Sequence, residues 1–186
     1  GIFVRGLTGN KVNVFIDGVR YSNGAQRGGV NTFLDLIDPS VVDEIEVLRG
    51  TSSAQYGSDA HGGSIQFLTH LPTLATGTDP QVGGTVTLGA ETAHRGGFGA
   101  GTVNYARSGF GLLGTFTRRK TGEYRPGGGN DTHSALTRFF GLPSEPFIGE
   151  RMPDTGFQQF AGQARANWVP MPDMLVVASY VSSRQD

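Results

Sequence analysis

The chemistry open to this 186-residue chain is set by 13 Arg, 2 Lys, 16 carboxylates and 4 His, with no Cys. The lack of Cys removes disulfides, thiolate metal ligands and cysteine nucleophiles. His61, His70, His94 and His133 have no i,i+4 spacing and no His-Glu-x-x-His run, so no metal site is predicted. No Ser-His-Asp set and no paired carboxylates stand out, so no catalytic residue and no cofactor is expected. Nearly all the cations are Arg, whose planar fork grips carboxylates bidentately and stays charged. Lys+Arg of 15 against Asp+Glu of 16 cancel overall, which gives no reason to expect a nucleic-acid partner.

Two kinds of segment position these side chains. Thirty Gly and nine Pro make the chain rich in turns, yet 12 Phe and 5 Tyr argue against disorder, which is poor in aromatics. Residues 1–72 mix strand and helix signals. VNVFID (12–17) alternates, and Asp17-Gly18 is a strong hairpin turn signal. A polar loop, 21–32, follows. FLDLIDPS reads as short helical turns, with Asp38 as N-cap and Pro39 at the first helical position. EIEVLRG (44–50) places Ile45, Val47 and Arg49 on one face and Glu46 and Leu48 on the other. A turn-rich connector and a strand over 64–70 close this small α+β unit. Residues 73–80 read as a linker.

From 81 to 186 the pattern changes to five long alternating strands: 82–92, 98–107, 110–120, 158–169 and 174–183. Phe160, Gly162, Ala164, Ala166 and Trp168 share one face of the fourth, and Gln159, Gln163, Arg165 and Asn167 the other. The connections at 106–111 and 169–174 are tight, whereas 123–156 is a long loop. Strands of about 10 residues with one apolar and one polar face fit a transmembrane β-barrel, whose apolar face meets lipid and whose polar face meets the lumen. A soluble β-sandwich alternates too, so the strands alone leave both architectures open. Trp168 beside a tight turn fits an aromatic girdle. The chain opens directly on GIFVRG, with neither an initiator Met nor a signal peptide, and stops within an alternating segment. The expectation is a piece of a longer protein.

Five ordered motifs decide between the two architectures: Arg5-Gly6, Asp17-Gly18, Ile45-Glu46-Val47 with Arg49-Gly50, Tyr56-Gly57, and Ala60 with Gly62-Gly63. In this order and spacing they resemble the plug domain of TonB-dependent outer-membrane receptors. Thr51, where the family usually has Pro, and His61, where an aliphatic residue is commoner, depart from the pattern. The resemblance implies an α+β plug followed by antiparallel strands of a 22-stranded barrel, incomplete here. It implies a Gram-negative outer-membrane location, lipid around the barrel, and coupling to the TonB complex through an upstream segment missing from the chain. It also implies that Arg5 and Arg49 form plug–barrel ion pairs. It further implies that Gly6, Asp17, Gly18, Glu46, Gly50, Tyr56, Gly57, Gly62 and Gly63 are structural parts of the plug motif.

The loop 21–32 should rise toward the outer face, making Tyr21, Asn23, Gln26, Arg27 and Asn31 the candidates for substrate contact. The long loop, with Tyr124, Arg125, His133, Arg138, Phe139, Phe140 and Phe147, could capture ligand from outside. The implied function is energised uptake of a scarce, large nutrient: an iron–siderophore, haem, cobalamin or glycan. The alternative is a passive porin-like or structural outer-membrane barrel, which would have no need of a plug.

Overall fold

The computed structural model describes residues 2–21, 37–75, 77–124, 141, 151 and 154–186. Asn23, Gln26, Arg27, Asn31, Arg125, His133, Arg138, Phe139, Phe140 and Phe147 lie outside the described residues. The first half is a four-stranded mixed sheet. Its strands are β1 (Val12–Ile16), β2 (Val19–Arg20), β3 (Val42–Arg49) and β4 (Gly63–Thr69), in the order β2-β1-β4-β3. β1 runs parallel to β4, with Val14 opposite Ile65, and β3 runs antiparallel to β4. Asp17 at φ 48° and Gly18 at φ 81° put the β1–β2 turn in the left-handed region that tight hairpins require. Asp38 caps a 3-10 turn, Pro39–Val41, its Oδ1 accepting from the Ser40 N–H at 2.8 Å. The connector before β4 contains one helical turn, α1 (Ser53–Tyr56). Alternate residues of β1 and β4 meet in a small core of Val12, Val14 and Ile65 with Val4, against which Ile2, Tyr21 and Phe67 pack.

The second half is an antiparallel meander of β5 (Gln81–Glu91), β6 (Gly96–Arg107), β7 (Phe110–Thr121), β8 (Phe157–Met171) and β9 (Met174–Gln185). All five expected strands form, most of them longer than the alternation alone marked. The connection at 92–95 is as tight as those at 108–109 and 172–173, so among the described strands of the meander the long connection is that between β7 and β8. The segment joining the sheets is tied down: Thr73 N–H donates to Asn104 Oδ1 at 3.0 Å, and Ala75 bridges Ser108.

The two faces of the meander invert the rule for a soluble protein. Thr115, Thr117, Thr121, Gln159, Gln163 and Asn167 are buried on the face toward the first sheet, while Val86, Leu88, Phe116, Trp168 and Tyr180 are exposed on the other. Thr117 is 0% exposed and Val86 79%. A sandwich buries its apolar face because water is its solvent. A sheet with apolar residues outside and polar residues inside is solvated by lipid on its outer face. Among the described residues no helix is long and apolar enough to cross a membrane, so the strands are the elements suited to it.

Candidate functional site

The polar residues that join the two sheets form two clusters. The first is centred on Thr69, the last residue of β4. Its hydroxyl donates to Asp17 Oδ2 at 2.6 Å and accepts from Gln163 Nε2 at 2.7 Å and Arg165 Nη1 at 3.1 Å. One donor and two lone pairs are all a hydroxyl has, so this group is fully used. Asp17 Oδ1 accepts from the Thr69 backbone N–H at 2.8 Å. Arg165 Nη1 also reaches Asp17 Oδ2 at 3.1 Å, the side chains being only 12% and 19% exposed. Gln163 Nε2 donates in addition to the His70 carbonyl at 3.0 Å. The left-handed turn aims Asp17 back across the end of β4, and β8 supplies Gln163 and Arg165 from alternate positions on its inner face.

The second cluster lies near the ends of β5, β7 and β8. Asp38, fully buried, faces Arg119 Nε at 3.6 Å, and Arg119 Nη1 lies 3.7 Å from Glu91 Oε1. The Arg119 guanidinium stacks 4.5 Å from the centroid of Phe98. Glu91 Oε2 pairs with His94 Nε2, and the His94 ring lies 5.2 Å from that of Tyr124. A cavity of about 580 Å³ opens here, lined by Glu91, His94, Arg119, Tyr124, Gln159 and Gln185 among others. Its walls offer a carboxylate, a guanidinium, an imidazole and two amides, a set that can both donate and accept hydrogen bonds. Among the described residues no group of three His, Cys, Asp or Glu could hold a metal ion. A narrower cavity of about 360 Å³ runs between the sheets past Tyr21, Asp38, Phe67, Thr69 and Ser183.

The residues expected from the sequence fall in three places. Arg5, Gly6, Gly50, Gly62 and Gly63 gather at the corner where β3 leaves and β4 enters. There Gly50 N–H donates to the Gly62 carbonyl at 3.0 Å, and a Cβ on Gly50 would stand 3.5 Å from the Arg5 guanidinium. Arg5 and Arg49 are exposed and, among the described residues, make no ion pair; Glu46 is exposed on β3, opposite Gln66. Tyr56 stacks 5.6 Å from Phe15 and its carbonyl accepts from Asn13 Nδ2 at 2.7 Å, with Gly57 at φ 93° just after it. Tyr21 packs half-buried on the plug core and lines the narrow cavity, and burial raises its phenol above the ordinary value. The ion pairs that do cross between the sheets, Asp17–Arg165 and Asp38–Arg119, use residues read from the sequence as a turn, a cap and a polar strand face. An Arg on the inner face of a strand was the available signal.

Comparisons with known proteins agree with this architecture. Residues 1–64 match the family described as TonB-dependent Receptor Plug Domain. Over 89 residues the chain is 35% identical to the vitamin B12 transporter BtuB of Vibrio vulnificus, covering 48% of this chain and 13% of that protein. A second V. vulnificus BtuB is 40% identical over 82 residues. Among solved structures, the copper transporter OprC superposes with a TM-score of 0.69 at 18% identity, over 97% of this chain and 24% of that one. The FrpB iron transporter of Neisseria meningitidis (F3-3 variant) gives 0.65 at 18% identity, over 95% and 24%. The chain thus spans about an eighth of the length of the curated relatives it matches.

Proposed function

From the premise that this chain is a TonB-dependent receptor plug domain with antiparallel barrel strands beside it, we propose that it serves active uptake of a scarce, large nutrient across a Gram-negative outer membrane. The observation that carries this reading is the plug's attachment to the polar inner face of the strands through Asp17, Thr69, Gln163 and Arg165. A barrel wall that binds a folded plug blocks free diffusion, so passage requires the plug to be moved. The energy for that enters through the TonB complex, contacting a segment upstream of residue 1. Tyr21, Asn23, Gln26, Arg27 and Asn31 of the apical loop, together with the cavity around Glu91, His94, Arg119 and Tyr124, receive the substrate from outside. Arg5 and Arg49 meet carboxylates of barrel wall beyond these five strands. The substrate class this reading names is an iron–siderophore, haem, cobalamin or a glycan, and the relatives named for vitamin B12, copper and iron transport support it. The passive porin-like alternative is disfavoured by the same four-residue attachment.

The test uses the full-length receptor in a host lacking its own uptake systems. Growth on ferric siderophore, haem, cobalamin or an oligosaccharide as sole source should appear with TonB and vanish without it. Growth equal in both backgrounds would establish passive entry and defeat the proposal. The lipid contact has its own test. Ala164 lies on the exposed face of β8, midway between Phe160 and Trp168. Ala164→Arg should cost about 2–4 kcal/mol of folding free energy in a bilayer, as a cation does near the midplane. Urea unfolding of the receptor in lipid vesicles measures it; a change below about 0.5 kcal/mol would remove this face from the membrane.

A further inference from the structure

Three cations stand together at one end of the apolar face, away from the plug; a fourth, Arg107, pairs with Phe110 at the other end. The register puts Arg118 opposite Phe160 and Phe160 opposite Arg184, and Lys120 opposite Gln158, all on the side that carries Leu112, Phe116 and Trp168. Arg118, Lys120 and Arg184 are exposed. The Arg118 guanidinium lies 5.4 Å from the Phe160 centroid, which fixes it against the sheet. Arg184, its side chain 79% exposed, gives only Nε to Asp186 at 3.0 Å, so its terminal nitrogens remain to donate elsewhere. Gly97 and Gly99 lie opposite Lys120 and Arg118 on β6, so the directly facing positions carry no side chain.

Their height on the sheet is what gives them meaning. From Phe110 to Phe116, from Gly162 to Trp168 and from Val176 to Ser182, the outward positions of β7, β8 and β9 carry no charge. Phe110 and Trp168 pair at one border of this band and Arg118 and Phe160 at the other. Eight residues at roughly 3.3 Å each span about 26 Å along the strand, or about 20 Å along the barrel axis at a tilt of about 40°. That is close to the height of the apolar band of an outer-membrane barrel, about 25 Å. The cations therefore stand at the headgroup level, at the end where β5 and β6 turn and the long β7–β8 connection departs.

We propose that Arg118, Lys120 and Arg184 form a docking surface for the phosphate groups of an outer-leaflet lipid, the apolar band beneath receiving its acyl chains. This rests on the outer-membrane reading above. Guanidinium forks match phosphate oxygens bidentately, and a cation row at a membrane border, here with one carboxylate on the Arg184 Nε, draws anionic headgroups.

The experiment reconstitutes the full-length receptor and an R118Q/K120Q/R184Q variant in phosphatidylcholine nanodiscs. The discs contain bis-phosphorylated lipid A, dephosphorylated lipid A or neither, and retained lipid is counted by native mass spectrometry. At about five-fold per cation near the surface, the variant should hold the bis-phosphorylated lipid about 100-fold more weakly. Dephosphorylated lipid A should bind weakly and equally to both proteins. Equal retention of the two lipids by the parent, or full retention by the variant, would overturn the proposal. Competition by inorganic phosphate at concentrations matching the lipid would mark a free-anion site and overturn the lipid assignment. Heat-resistant compact migration on electrophoresis reports barrel formation separately. A parent that forms no barrel in lipid overturns the underlying reading and this one with it, whereas a folded parent with phosphate-blind binding overturns this one alone.

Discussion

Asp17→Ala should free the plug from the barrel wall, costing about 3–5 kcal/mol, the range for removing one partner of a buried ion pair. The size follows from what is left behind. Arg165 is nearly buried and among the described residues its Nε already has no hydrogen-bond partner; without Asp17 its charge keeps, among them, only the Thr69 hydroxyl. Thr69 in turn loses the acceptor for its hydroxyl and the carboxylate on its N–H. The measurable result is increased entry of antibiotics normally too large for the outer membrane, with faster protease cleavage of residues 1–72 in the folded receptor. Ala at φ 48° also strains the turn, so Arg165→Met is the companion variant: it leaves the plug sequence intact. Asp17 keeps its two bonds from Thr69 there, so the loss should be smaller, about 2–3 kcal/mol. A double-mutant cycle should give a coupling above about 1 kcal/mol. Additive effects would mean that Asp17 acts only within its own turn.

The contrast between Asp17 and the strands explains what the sequence could reveal. Alternation over ten or more residues reports a face directly, because each side chain in a strand points opposite to its neighbours. β5 to β9 were therefore legible, and so were the polar faces of Gln163 and Arg165. The side of the sheet that water occupies was not legible from alternation, since a sandwich and a barrel share it. The ordered plug motifs indicated it, and the exposure of Val86 and Leu88 with burial of Thr115 and Thr117 now settles it. Asp17 and Asp38 were hidden for a different reason. Each has a complete local explanation, Asp-Gly turn and N-cap before Pro39, and a residue whose local role is satisfied gives no sign of a second one. The partner of Asp17 is 148 positions away, and no local spacing rule extends that far.

Gly63→Ala is the other large effect, and it separates the plug from the barrel in the opposite sense, by unfolding the plug rather than releasing it. Gly63 sits at φ 152°, and a Cβ there would stand 2.3 Å from the Leu48 carbonyl oxygen and 3.1 Å from Val4 Cγ1. The backbone conformation alone costs about 1–3 kcal/mol for a residue with a side chain. The clash cannot be relieved by a rotamer, because the offending atom is backbone of β3, held in register by the Arg49–Gly63 and Leu48–Ser64 pairs. Moving it would also disturb the Val12–Gly63 pairing with β1 and the Val4 side chain of the core. The total should reach about 4 kcal/mol, a loss reserved for strained backbone or broken cores. Gly18→Ala provides the control: its φ of 81° is as left-handed as the turn demands, yet nothing lies within 4 Å of the added carbon. It should cost only the conformational penalty, about 1–2 kcal/mol. Urea unfolding followed by the protection of plug amides against hydrogen exchange ranks the two. A Gly63→Ala receptor should keep its barrel, lose plug protection, lose the uptake proposed above and gain passive leak. Equal losses for the two variants would show that the plug corner yields, and that the closeness of Leu48 sets no limit at position 63.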